Sequence, residues 1–461
     1  MKKSIIQIIA LPLYLIFMTL SAFSDEKPEG IDYLELSAGL TSISGDKAPL
    51  LMWINQNGRI PVDSGTEYLR LRVGKEKDDL EDLDWIYGID VTAQTEGNDH
   101  IMFTDGYAGI ASEKIKIWVG KKSELIGLVD QELSSGSEIY SRNAPTIPKV
   151  VISTNGYVQV SDKIAINAYL GHGWLGNKRY VKDAYLHQKY LYLRYGDTAP
   201  DKGWSFYTGI HHVVVWGGTN RVTGIKNPSG LDDFARVFLG LNGDDSSLAS
   251  ERENALGDHR GSIEFAVQLK NTDNDWFFYA QTMFEDSSGL LFIIPGDILL
   301  GTSYISKKSN NIFQRFNIEY LDTRFSGFSP HDKSDPEYEE DNYFKNSIYK
   351  SGWSYKGFAI GTPFIRFVPG TDYIYTVQNR IRSMNASAAM HFSNLVNPVF
   401  RFAYIENYGS FSAPLENPES LYAADLVNVS HLSNDWVITQ QVSWDTENDF
   451  GVGFGVTKKV F

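Results

Sequence analysis

Two adjacent histidines, His211 and His212, are the most conspicuous candidates for chemistry in this 461-residue sequence. They lie in the strand-like run Phe206–Trp216, and neighbouring residues of a strand point to opposite faces of the sheet. A regular strand therefore cannot direct both imidazoles at one metal ion. We expect one histidine to face the interior of the fold and the other an interface. No other ligand spacing in the sequence predicts a metal site.

Nucleophilic catalysis has little support. The Gly-x-Ser-x-Gly turn of many serine hydrolases does not occur in the sequence. Ser329, His331 and Asp332 are close together, but they share one acidic stretch, whereas rigid elements hold the members of a catalytic triad together. The sequence has no cysteine, which excludes thiol catalysis, disulfides and cysteine-ligated metals. We predict no cofactor, and an outer-membrane hydrolase is the least favoured function.

Arginine and tryptophan side chains offer a different chemistry, the binding of sugars. Aromatic faces pack on sugar rings, and a guanidinium group can bind a carboxylate through two parallel hydrogen bonds. The alternatives are structural pairing of the arginines with acidic side chains, and anchoring of the tryptophans at a lipid interface. The candidates for carbohydrate binding are Arg142, Trp174, Arg179, Trp216, Trp353, Arg380 and Arg382.

The N-terminus predicts export. Two lysines precede the apolar run Ile5–Leu20, and small residues follow at Ala22 and Ser24. This order is typical of a secretory signal peptide cleaved after Ser24, and an uncleaved membrane anchor is the alternative. Removal of residues 1–24 takes away two lysines, so the net charge of −15 becomes −17. A chain this acidic is a poor general ligand for nucleic acid.

Alternation of polar and apolar residues indicates an all-β fold. The segments Tyr68–Val73, Ile312–Tyr320 and Val399–Tyr408 alternate with period 2, as transmembrane strands do when one face meets lipid and the other the lumen. No linker divides the mature chain, and 13% of the residues are aromatic. We predict that residues 25–461 form one outer-membrane β-barrel of about 18 antiparallel strands. A secreted β-sandwich or propeller is the alternative.

Three further elements can be predicted. Leu231–Leu241 has helical spacing of its apolar residues and predicts a short helix that caps or plugs the lumen. Ser329–Asp341 is acidic and predicts an extracellular loop. The last strand, Phe450–Phe461, places Phe461 on the face opposite Val452 unless a β-bulge near Lys458 shifts the register.

Several segments, taken in order, resemble the capsule assembly Wzi family of outer-membrane proteins over nearly the whole mature chain. They are Ala48–Gly58, Leu133–Ser137, Ser141–Pro145, Leu186–Tyr190, Gly209–His212, Trp216–Gly218, Leu256–His259 and Ile360–Phe364. The resemblance implies a barrel of about eighteen strands with helical segments closing its periplasmic end. It also implies a lectin-like role that holds capsular or extracellular polysaccharide at the cell surface, without enzyme activity.

The expected partners are therefore a polysaccharide and the lipid of the outer membrane, with the barrel as a monomer. A porin-like channel for oligosaccharides or other solutes is the main alternative function.

Overall fold

The computed structural model describes residues 30–461 except 77–81, 98, 198, 200, 246, 249–250, 253, 286–296, 326–341 and 411. The predicted signal peptide, residues 1–24, lies outside the described residues. So does the predicted acidic loop, Ser329–Asp341, together with His331. Neither of the described helices is long and apolar enough to cross a membrane.

Eighteen long antiparallel strands form a closed barrel. They are β1 Tyr33–Ile43, β2 Thr66–Lys75, β3 Asp84–Gln94, β4 Ile101–Ala111, β5 Ile115–Lys121, β6 Lys149–Thr154, β7 Ile164–Trp174, β8 Tyr185–Gly196, β9 Gly203–Trp216, β10 Asp258–Lys270, β11 Asn274–Phe284, β12 Ile298–Ser306, β13 Phe313–Asp322, β14 Ile381–Met390, β15 Pro398–Gly409, β16 Pro414–His431, β17 Trp436–Asp445 and β18 Asp449–Lys459. Each strand pairs with the next, and β1 pairs with β18, from Glu35 opposite Lys459 to Ile43 opposite Gly451. In a closed barrel every strand has a hydrogen-bonded neighbour on both sides, as a membrane-spanning sheet requires. The predicted barrel is confirmed.

Short strands occur in the connections between the long ones. They are Val158–Gln159, Val181–Lys182, Thr219–Asn220, Ser354–Tyr355, Phe358–Ala359, Arg366–Pro369 and Tyr375–Gln378. Val158–Gln159 extends the barrel sheet by pairing with β7, and the others form small two-stranded ribbons.

The strand β9 shows why this sequence forms a barrel wall. Ser205 and His211 are fully buried on its lumen side, whereas Trp204 and Ile210 are exposed on the other. Apolar side chains are exposed in the same way along the outside of most strands. The outer surface is therefore suited to hydrocarbon rather than to water.

The two ends of the barrel differ in the length of their connections. At the end that carries both described termini, the turns include residues 112–114, 271–273 and 432–435. At the other end, the connections include residues 122–148, 217–257 and 323–380. Short turns of such barrels face the periplasm and long loops face the outside. We call these the short-turn end and the long-loop end.

All described helices belong to the long-loop end. They are α1 Leu50–Trp53, α2 Leu231–Leu239 and a 3₁₀ turn at Thr371–Tyr373. The predicted helix at Leu231–Leu241 is thus confirmed, but the described helices do not close the periplasmic end as expected. The turns at that end are too short to hold them. Nor does α2 cap the lumen, because it packs on the outer wall.

Two long connections fold back into the lumen. Side chains of residues 122–148 and 342–380, such as Tyr140 and Trp353, form one buried cluster with inward-facing wall residues such as Tyr192 and Tyr279. We call these two segments the plug.

The last strand runs without a bulge. Its pairing with β1 and β17 shows no register shift between Gly451 and Lys458. Beyond it, the Leu34 N–H donates to the Phe461 carbonyl at 3.5 Å. The β-bulge considered near Lys458 does not occur, and the backbone of Phe461 continues the hydrogen-bonded pairing with β1.

Candidate functional site

The plug does not fill the lumen evenly. Two cavities, of about 380 and 300 Å³, lie against the wall formed by β1–β4 and β14–β18. Residues of the connection between β1 and β2 line both cavities, and the plug lines only the larger one. Both are lined by Gln56, Arg59, Arg70 and Arg401, so they adjoin. We call this combined space the crevice. Its volume falls within the range of about 300–1,000 Å³ that is usual for ligand sites.

Small side chains on the wall leave this space open. The inward positions of β17 and β18 carry short or absent side chains where strands on the opposite side carry tyrosine. The small or polar wall residues that line the crevice include Ser37, Thr41, Thr92, Gln94, Thr439, Gln441, Gly453, Gly455 and Thr457. Their hydroxyl and amide groups can donate and accept hydrogen bonds, which is the chemistry that sugar hydroxyl groups require.

Some of the crevice arginines are held by acidic partners. Arg70 donates to both carboxylate oxygens of Asp90, with Nε 2.7 Å from Oδ1. Arg72 donates to Glu35 at 2.6 Å, and Arg401 lies 3.2 Å from an oxygen of Asp425. These arginines pair with acidic side chains, which is the alternative to sugar binding that the sequence left open.

Two other crevice arginines have no such partner. Arg59 donates to Gln56, to the backbone oxygen at 3.2 Å and to the side-chain oxygen at 2.6 Å. Arg142 donates to the Gln131 carbonyl at 3.0 Å. Among the described residues, neither guanidinium group forms an ion pair with a carboxylate. Both can therefore offer hydrogen bonds to an anion.

The surroundings of these two arginines explain their pKa values. Burial, and next the neighbouring Arg70, lower the pKa of Arg59 to about 10. Burial also lowers the pKa of Arg142. Nearby carboxylates partly offset the effect of burial, Asp90 for Arg59 and Glu132 for Arg142, and both guanidinium groups stay charged at neutral pH.

The crevice is rich in arginine although the whole chain carries a net charge of −15. Five arginines and three carboxylates, Asp90, Asp105 and Glu132, line the larger cavity. Three arginines and no carboxylate line the smaller one within the described part of the chain. The carboxylates that pair with Arg72 and Arg401 offset those two charges. The guanidinium groups without an ion-pair partner are the ones that can attract an anion.

Comparison with known proteins decides the family. The family model described as capsule assembly protein Wzi matches residues 55–378. The chain belongs to this Wzi family. Among curated protein sequences, none matches the chain.

A solved structure of low sequence identity shares the fold. Wzi of Escherichia coli, described as an outer-membrane protein involved in group 1 capsule assembly and as a carbohydrate-binding β-barrel, has a TM-score of 0.58 and 11% identity over 92% of this chain and 83% of that chain. OccK5 of Pseudomonas aeruginosa has a TM-score of 0.47 and 9% identity, over 93% and 97% of the two chains. OccAB4 of Acinetobacter baumannii has a TM-score of 0.43 and 10% identity, over 95% and 99%. The fold and the family are those of outer-membrane proteins.

In this Wzi-family barrel, the predicted tryptophans do not come together. Trp174 is exposed on the outer wall, at the end of β7. Trp216 also faces outward, but it is buried beneath α2. Trp353 is fully buried in the plug, where its indole N–H donates to the Ile139 carbonyl at 2.7 Å. The described contacts give these three residues structural roles and place none of them on the crevice.

The predicted arginines are also scattered, and only Arg142 lines the crevice. Arg179 is buried in the lumen and donates to the carbonyls of Gly352 and Ser354. Arg380 donates to the Arg324 carbonyl at 3.0 Å. Arg382 pairs with Glu406 at 2.6 Å. Arg59, which the sequence did not single out, belongs to the site instead.

The histidine pair behaves as predicted. His211 is buried in the lumen, with Nε2 3.0 Å from the Gln188 amide nitrogen. His212 faces outward and lies 3.1 Å from His259. In the described ranges, no group of three or more His, Asp or Glu residues has the geometry to hold a metal ion.

Proposed function

We propose that this barrel binds an acidic capsular or extracellular polysaccharide in its crevice and helps to assemble that polymer at the cell surface. The observation that carries the proposal is the pair of arginines, Arg59 and Arg142, that reach the crevice without a carboxylate partner. Membership of the Wzi family supports the same role, as does the likeness to a barrel described as carbohydrate-binding.

The chemistry of the crevice favours an acidic sugar over a neutral one. A guanidinium group binds a carboxylate with two charge-assisted hydrogen bonds, and each such bond contributes about 1.5–3 kcal/mol. The threonine, serine and glutamine side chains nearby would bind hydroxyl groups of the same sugar. The affinity for the polymer then depends on its carboxylates and falls as salt increases.

The test is a comparison of polysaccharide attachment in cells. A strain without the gene is complemented with the unaltered protein, with the double variant Arg59→Gln and Arg142→Gln, or with the control Arg366→Gln. Arg366 lies outside the crevice and pairs with Glu447 at 3.0 Å. We expect the double variant to shift polymer from the cell-attached to the shed fraction, whereas the control retains it. Equal attachment with and without the gene would refute the role in assembly.

A channel is the second candidate, because the crevice is open space inside the lumen of the barrel. Along β1 it extends from Ser37, opposite Thr457, to Thr41, opposite Thr66. Planar bilayers distinguish the two functions. A polysaccharide-binding barrel closed by its plug should give no steady ion conductance, whereas a solute channel should conduct.

A further inference from the structure

The helix α2 packs on the outside of the barrel. Its Val237 is fully buried in a cluster with Val214 and Trp216 of β9. On the same strand, His211 and Val213 alternate with these residues and face the lumen. Because neighbouring strand residues point to opposite faces, α2 covers the lipid-facing side of the wall.

Polar side chains lie beneath α2 at positions where lipid would otherwise be. His187 is fully buried, with its ring centroid 5.4 Å from that of Phe234 and 5.3 Å from that of Phe238. The ammonium group of Lys189 donates to the Phe238 carbonyl at the end of the helix. A lysine facing lipid near the edge of the hydrocarbon costs up to about 1 kcal/mol, and more if it lies deeper. The helix therefore replaces lipid over this patch.

The apolar side of α2 is wider than its contact with the barrel. At about 100° per residue, Phe234, Val237 and Phe238 face the wall, Leu231, Ala235 and Leu239 form an adjoining strip, and Asp232, Asp233 and Arg236 lie on the remaining side. In the strip, Leu231 is 89% and Leu239 66% exposed. A helix surrounded by water would have polar residues there.

Along the barrel axis, α2 lies at the height where the lipid-facing apolar band is expected to end. Trp204 and Tyr195, with ring centroids 5.9 Å apart, lie near the short-turn ends of β9 and β8. Val214, beneath α2, follows Trp204 by ten residues. At about 3.3 Å per residue and a tilt near 40°, this separation rises roughly 25 Å along the barrel axis. The apolar band of such barrels is also about 25 Å tall.

We propose that α2 is a lipid-binding element, whose strip of Leu231, Ala235 and Leu239 inserts into the hydrocarbon edge of the outer leaflet. On the wall that α2 covers, Leu191 and Ile210 also face outward and are exposed. The first-turn carboxylates and Arg236 point the remaining side toward the headgroups and water. The helix thereby fixes the height and tilt of the barrel in the membrane. The inference is independent of the ligand in the crevice.

The absence of cysteine from the chain permits a direct test. Single cysteines are introduced as Leu239→Cys and, as a matched control, Arg236→Cys, labelled with a nitroxide, and reconstituted as the full barrel in phospholipid vesicles. Collisions with oxygen, which concentrates in lipid, are compared with collisions with a water-soluble nickel chelate. We expect the label at 239 to favour oxygen and the label at 236 to favour nickel, so that the logarithm of the ratio changes sign.

Leu231→Cys repeats the measurement at the other end of the helix, and heat-modifiable gel mobility checks that each variant is folded. The proposal is overturned when the labels at 231 and 239 favour nickel as strongly as the label at 236. It is equally overturned when both strip positions are shielded from both reagents, because that result places another protein surface on the strip.

Discussion

Strands of the same antiparallel barrel line both halves of the lumen. The plug fills one half, and the crevice remains in the other. On the side of β8–β13, inward residues include tyrosines and carboxylates that contact the plug. Glu264 accepts the Leu128 N–H at 2.5 Å, and Glu319 accepts the Ser135 N–H at 2.7 Å. On the side of β1–β4 and β14–β18, inward residues include glycine and threonine, and the crevice remains.

This difference explains how the plug can occupy the lumen and still leave space for a ligand. Buried carboxylates in the filled half accept backbone N–H groups of the plug, which has no sheet of its own in those stretches. Such N–H groups are costly when unpaired, so these contacts help to hold the plug in the lumen. On the opposite wall, Asp105 accepts the Ser123 N–H of the plug at 2.6 Å, but open space remains beside it.

The largest expected effect comes from damage to the filled half. Trp353→Ala removes a fully buried indole and its hydrogen bond to Ile139. We expect a loss of about 3–5 kcal/mol, measured as a lower temperature of unfolding, together with ion conductance in planar bilayers. Trp85→Ala, at an exposed site on the outer wall, is the control and should lose much less. Equal losses would mean that the plug is not packed as described.

A smaller effect should follow from filling the open half. Thr439→Trp places a large side chain in the crevice, which Thr439 lines. We expect the affinity for acidic polysaccharide to fall at least about tenfold, or 1.4 kcal/mol, with little change in unfolding temperature. Thr439→Ser, which keeps the hydroxyl group and adds no volume, serves as the control. Unaltered binding by the tryptophan variant would separate the ligand site from the crevice.

The smallest effect concerns Glu138, a plug residue whose buried carboxyl oxygens have no hydrogen-bond partner in the described structure. Burial, and next the charges of Glu264 and Asp297, raise the pKa of Glu138 well above its usual value. A raised folded-state pKa means that stability is fully present below the unfolded value, near 4.3, and is lost as pH rises through the folded value.

Glu138→Gln should therefore stabilise the plug at pH 8, by on the order of 2 °C in unfolding temperature, and should make little difference at pH 4. Paired melting curves of the variant and the unaltered protein measure this difference. A constant offset across the range would show that Glu138 does not titrate in the folded barrel.

The fold could be predicted from the sequence more completely than the site. Alternation in segments such as Val399–Tyr408 depends on the lipid and lumen faces of a strand, so it predicted the barrel and the opposed directions of His211 and His212. The helix at Leu231 was predicted from its spacing, but its place on the outer wall was not, because a helical repeat does not specify which surface covers it.

The site depended on the path of the connections, which local patterns do not determine. Trp174 and Trp353 have the same side chain, yet one is exposed on the outer wall and the other is buried in the plug. Arg59 lies in a connection, and only the return of that connection into the lumen brings it beside Arg70. No local pattern around Arg59, which Asp63 follows four residues later, indicates a binding site.

The most direct measurement of the central claim is a binding titration with a chemically altered ligand. The purified barrel is titrated with an acidic polysaccharide and with the same polymer after its carboxyl groups have been reduced to alcohols. We predict that the unaltered protein binds the acidic form at least about tenfold more tightly, and that the variant carrying Arg59→Gln and Arg142→Gln loses this preference. Equal affinity of the unaltered protein for both polymers would contradict the account.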